Sequence, residues 1–212
     1  MIVAIALTAW FLIVLGAGSA GVFNAGPGRA PLPVLLAVVG PPLIFAVAYR
    51  MSRAVRDFAL GVDLRLLTAI QAWRVVGVMF LGLYAFGLLP GVFAWPAGLG
   101  DAAVGIAAPF ALLAIVRGAP TWRTQVTWLN IAGLVDFLVA LGTGVLTSNS
   151  ALGLLSDGAS RASLGQLPLS LVPTFAVPLW TIFHLISLLQ LRRLAGAGAR
   201  PIRYTALADP VV

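Results

Sequence analysis

One guanidinium, two carboxylates and one imidazole interrupt long apolar runs: Arg74, Asp101, Asp136 and His184, with Gln71 and Asn130 beside them. An ionisable side chain in such a run is costly and needs a partner, so each is a candidate for function. Arg74 requires an anion at its own depth. Counting about 1.5 Å per residue along a helix, Asp136 is expected at comparable height and Asp101 close to the opposite end of its run. The expected pair is therefore Arg74 with Asp136, with Asn130 or His184 completing the hydrogen bonds. Such a pair can lock two helices together or form a working site. Asp101 is either solvated at an interface or stands at the mouth of a polar path. His184 either relays protons, as imidazole does near neutral pH, or packs with its hydrogen bonds satisfied. Gln71 and Arg74, three apart, share one helical face.

Other chemistries lack their residues. With one histidine and no cysteine, a bis-His haem cannot be built from one chain, and a zinc site is short of ligands. No lysine is present for a Schiff base. Ser187 lies three residues from His184, but no third group completes a hydrolytic triad. The glycines follow no strand, so no phosphate-cradling loop is expected. No cofactor or metal is expected, and the residues point away from an enzyme.

Helices must position these groups. Of 212 residues, 61% are hydrophobic and only 9% charged, against about a quarter charged in a soluble domain. Too little polar surface remains to wet a globule, so the expected fold is an all-α integral membrane bundle. Six apolar segments mark its spans, at 2–23, 32–49, 66–89, 97–116, 125–147 and 167–191. The first lacks the basic region of a signal peptide, so it reads as a retained span, with a leader ending near Ala17-Gly18-Ser19-Ala20 as the alternative. Breaks are expected at Gly40-Pro41-Pro42 and between residues 173 and 178, because proline removes a backbone donor. A short interfacial helix is expected at 151–155, and packing positions for Trp10, Trp73, Trp128 and Trp180. Residues 1–193 form one transmembrane domain, and 194–212 a flexible tail.

The net charge of +7 does not point to nucleic acid, because the arginines sit at span ends rather than in one patch. Arg50, Arg53, Arg56, Arg65, Arg117, Arg123, Arg192, Arg193, Arg200 and Arg203 share one side, leaving Arg29 and Arg161 on the other. Positive residues accumulate in the cytoplasm. Both termini are therefore expected inside, as six spans require, with the arginines on anionic lipid headgroups of an inner membrane.

Spans four and five echo one another. Gly98-Leu99-Gly100-Asp101 through Ile106 aligns with Gly133-Leu134-Val135-Asp136 through Leu141 as G-L-x-D-x-x-V-x-[IL]. In antiparallel neighbours this is the pattern of a small inverted repeat, although helix packing alone would also produce it. Gly98, Gly105, Gly133, Gly142 and Gly144 offer surfaces for close backbone approach, so Asp101 is expected to face a helix rather than lipid. The runs 71–111 (QAWRVVGVMFLGLYAFGLLPGVFAWPAGLGDAAVGIAAPFA) and 128–144 (WLNIAGLVDFLVALGTG) resemble those of an uncharacterised family of hypothetical bacterial multi-pass inner-membrane proteins. The resemblance implies such a membrane protein and carries over no catalytic residue.

Three roles are consistent with these residues. The first is a small-solute or proton-linked transporter, with Arg74, Asp136 and His184 toward the cytoplasm, Asp101 toward the outside and Arg74 favouring an anionic group. The second is a non-catalytic subunit bound to another membrane protein or to a copy of itself. The third is an intramembrane enzyme acting on lipid, with His184 as base. Transport requires a cavity joining the polar groups and open to one side; a subunit requires a sealed pair.

Overall fold

The computed structural model describes residues 2–26, 28–156 and 164–196; of the expected tail, 194–196 continue the last helix and the rest lies outside the described residues. Every regular element in the described residues is helical. Five helical stretches are long and apolar enough to cross a membrane: Leu32–Met51, Leu64–Ala85, Gly91–Val116, Trp122–Leu146 and Val172–Gly196. This is the architecture of a membrane protein. The helix α1 (Ile2–Ser19) is shorter and passes into turns at 20–23. At 1.5 Å per residue it reaches about 27 Å, against a hydrocarbon core of about 30 Å.

The helix α2 (Leu32–Met51) runs unbroken through Pro41 and Pro42, so the expected interruption at Gly40-Pro41-Pro42 does not occur. Only Val38 of α2 is buried, which leaves room beside the two proline rings. Ser52 then caps α3 (Arg53–Gly61), its hydroxyl accepting from the Val55 amide. This nine-residue helix was not anticipated between the second and third spans. Its signal was present, since Val55, Phe58 and Ala59 follow i, i+3, i+4 spacing opposite Arg53, Arg56 and Asp57. Gln190 holds it down, donating to the carbonyls of Ala59 and Val62 at 2.8 Å each. Those carbonyls belong to a helix C-terminus without intrahelical partners. Gln190→Leu is expected to cost about 1–3 kcal/mol and to raise amide hydrogen exchange over residues 59–64.

The third span is the irregular one. Asp63 caps α4 (Leu64–Ala69), a 3₁₀ helix follows over Ile70–Val78, and α5 (Met79–Ala85) completes it. Three residues per turn place i and i+3 directly above each other. Thr68, Gln71, Arg74, Gly77 and Phe80 therefore form one buried column. The centre of the bundle is α6 (Gly91–Val116), which packs on the 3₁₀ segment, on α7 (Trp122–Leu146) and on α4 and α5. Its buried stripe is small: Ala94, Ala97, Gly98, Ala102, Gly105, Ala108 and Ala111. The last span begins with a π-helical turn, Val172–Ala176, containing Pro173, and continues as α8 (Val177–Gly196). The expected irregularity between 173 and 178 is thus present as a π turn.

Two apolar clusters flank the middle of the bundle. One joins Leu64, Val104, Ala108, Val126, Leu129 and Leu191, and the other Phe80, Leu89, Phe93, Ala94 and Ala97. Trp10 packs on Phe175 and Trp180 on Phe183. Trp73 and Trp128, expected in packing positions, are instead 67% and 65% exposed, Trp73 at the border of a cavity. A bilayer covers such rings without a protein partner. Residues 151–156 form turns rather than the expected interfacial helix.

Candidate functional site

Arg74 rises from the 3₁₀ column between the two apolar clusters and meets a carboxylate on each side. Its Nε donates to Asp101 Oδ1 at 2.7 Å, and its Nη2 donates to Asp136 Oδ2. Nη1 lies 3.1 Å from His184 Nε2. Arginine only donates, so the network assigns Nε2 as the acceptor and places the imidazole proton on Nδ1. That nitrogen donates to Asn130 Oδ1 at 2.8 Å, and Asn130 Nδ2 donates to the Val126 carbonyl at 2.7 Å. The Phe137 ring covers the guanidinium with its centroid 4.1 Å from Cζ, a cation–π contact. Three helices thus converge on a cation carried by a fourth element.

The structure brings together Arg74, Asp101, Asp136, His184 and Asn130. Gln71 is fully buried one turn away, and its amide donates to the Leu67 carbonyl of its own helix. Asp101 is not near an outer mouth, as its sequence position suggested. The reason lies in α6, which starts at Gly91 behind Pro90 rather than at 97 and carries Pro96 within it. Asp101 is therefore ten residues into α6, and Asp136 is ten residues from Leu146 at the end of α7. In antiparallel neighbours that is the same depth, about 15 Å. The sequence echo between spans four and five thus delivers its two aspartates to one guanidinium.

Glycines make the convergence possible. A Cβ on Gly77 would run into Asp101, and one on Gly100 into Asp136. At Gly105 a Cβ would lie 2.5 Å from the Val75 amide nitrogen, and at Gly133 it would lie 2.6 Å from Arg74 Nη1. Gly98 and Gly144 also face packed side chains, whereas Gly142, expected among them, has nothing within 4 Å.

A cavity of about 570 Å³ descends to this cluster. The third and last spans meet where α4 packs on α8, and the cavity fills the space between Trp73, Gly77 and Phe80 of one and Val172, Ala176 and Trp180 of the other. Its far end is ringed by polar groups, among them Asn24, Ser148, Asn149, Ser150 and Gln166, on the side carrying few arginines. Arg74 and Asp101 form its floor. His184 and Asn130 lie beneath, fully buried. Neither of these two residues lines the cavity, which therefore reaches Arg74 from the arginine-poor side alone.

Residues 31–192 match the family described as Domain of unknown function (DUF8737). The chain belongs to this family. The match spans α2 to α8, so all five network residues, the Gln71 column and the cavity floor lie inside the DUF8737 domain, while α1 lies outside it. No curated protein and no solved structure matches the chain. The resemblance to a family without an assigned activity is thereby confirmed.

Proposed function

We propose that this chain is a six-span protein of a bacterial inner membrane, with both termini in the cytoplasm. In this reading it is a small-solute or proton-linked transporter whose cavity faces the outside. The observation that carries the proposal is the cavity itself, reaching from one end of the bundle to an intramembrane ion cluster. Its volume falls in the usual range for small-molecule sites, about 300–1,000 Å³. The arginine asymmetry supports the orientation, and α1 with its following turn supplies the sixth span.

Two irregular stretches border the cavity, the 3₁₀ helix Ile70–Val78 and the π turn Val172–Ala176. Both are geometries that recur at functional hinges. Rewinding nine residues from 3₁₀ to α-helical rise shortens that stretch by about 4.5 Å. Arg74, at the centre of the stretch, would shift by about 2 Å relative to α4, enough to loosen its contacts with both carboxylates and change which side has access. Arg74 would then be the moving charge and Asp101 and Asp136 its stations, with a proton substituting for it when it leaves.

The second reading, a membrane subunit partnered with another protein or a copy of itself, draws on the enclosed half of the network, where Asn130 and His184 only brace Arg74. Proteoliposomes distinguish the two. Transport predicts proton flux above that of empty vesicles, reduced several-fold by Asp136→Asn, and wild-type flux equal to the empty control would overturn it. The orientation is checked in intact cells, which is possible because the chain has no cysteine. Ser150→Cys should react with an impermeant maleimide on intact cells, and Ser52→Cys only after permeabilisation.

A further inference from the structure

The charges of the cluster do not balance. Arg74 contributes one positive charge, Asp101 and Asp136 contribute two negative charges, and His184 accepts from arginine as a neutral ring. One negative charge remains in an environment of low dielectric, where an uncompensated charge is costly. Among the described residues lining the cavity, Arg74 and Asp101 are the only charged ones. A proton held by one carboxylate or a cationic occupant would compensate it, and the open cavity above Asp101 offers a place for the second.

The identity of that occupant follows from what remains accessible. All three guanidinium nitrogens are engaged, and the Arg74 side chain is 4% exposed. Arg74 therefore presents little accessible surface to an anionic occupant. Of the two carboxylates, Asp101 is the more accessible, with its side chain 18% exposed against 9% for Asp136. A metal ion finds little here, because no cluster of three His, Asp or Glu side chains exists among the described residues. The walls carry instead the rings of Phe23, Trp73, Phe80, Phe93, Phe137 and Trp180. Aromatic faces attract cations and bury apolar groups together.

We propose that the cavity binds an organic cation with an apolar body, its charge held by Asp101 above the Arg74 pair and its body against the aromatic walls. This rests on reading the cavity as a solute site. The test uses two probes of nearly equal shape, methyltriphenylphosphonium and neutral triphenylphosphine oxide, with the full chain in nanodiscs and empty nanodiscs as the blank. The cation is expected to bind at least tenfold more tightly than the oxide. Asp101→Asn should lower cation affinity about tenfold while leaving oxide binding unchanged, which also shows that the variant is folded. Trp180→Leu should weaken both. Oxide binding as tight as cation binding, or cation binding indifferent to Asp101→Asn, would overturn the inference and leave the solute site standing. If neither probe binds above the blank, the cation inference and the solute site fail together.

Discussion

Arg74→Met is expected to destabilise this protein more than any other single substitution in the cluster, by about 3–5 kcal/mol. Removing the guanidinium leaves two carboxylates facing each other across the α6–α7 packing, and deprives His184 Nε2 of its donor. The local charge goes from one negative to two. Asp101→Asn and Asp136→Asn act in the opposite sense, taking the cluster to neutrality while an amide oxygen still accepts from arginine. Each should therefore cost less than Arg74→Met, although the geometry they touch is the same. Arg74→Lys should fall between, because an ammonium on a flexible stem cannot hold three acceptors in one plane.

The decisive comparison is the triple variant Arg74→Met, Asp101→Asn, Asp136→Asn. Replacing all members of a buried ionic group is often close to neutral, whereas removing one is severe. The triple variant should recover most of the stability lost by Arg74→Met. Thermal unfolding in detergent reads both results: a drop in Tm on the order of 10 °C for the single variant, and a much smaller one for the triple. If Arg74→Met melts no lower than Asp101→Asn, the charge accounting is wrong.

The spans were legible because hydropathy needs only composition, and the depth of Asp136 followed from counting. Asp101 was misplaced for a specific reason. Proline at 90 and 96 reads locally as a loop, yet Pro90 only precedes the helix and Pro96 is carried inside it as the sixth residue. Six residues before the expected start, 91–96, turn out to be helical, and Asp101 moves from the rim to the middle. The 3₁₀ column had a signal in the triplet spacing of Thr68, Gln71, Arg74, Gly77 and Phe80, which helical periodicity of 3.6 conceals. The cavity had none. It is a gap between spans that meet at one end, and its direction depends on tertiary packing rather than on any residue pattern.

Gly105→Ala is expected to separate two elements that the Arg74 site requires in contact. Its Cβ would lie 2.5 Å from the Val75 nitrogen and 3.1 Å from the Arg74 carbonyl carbon. These are backbone atoms, so no rotamer change relieves the clash; α6 and the 3₁₀ segment must move apart. Overpacking of this kind costs about 1–3 kcal/mol or more, and here it also pulls Arg74 away from Asp101. The variant should lose both stability and probe binding. Gly142→Ala supplies the contrast. It lies near the C-terminal end of α7 with nothing within 4 Å, and alanine there relieves the entropy that glycine loses on folding, for a gain of about 0.5–1 kcal/mol. The same chemical change thus carries opposite signs at two helical glycines, and the melting temperatures of the two variants measure the difference directly. If Gly105→Ala is tolerated as well as Gly142→Ala, the third span and α6 are not in backbone contact, and the depth at which Arg74 reaches both carboxylates loses its structural basis.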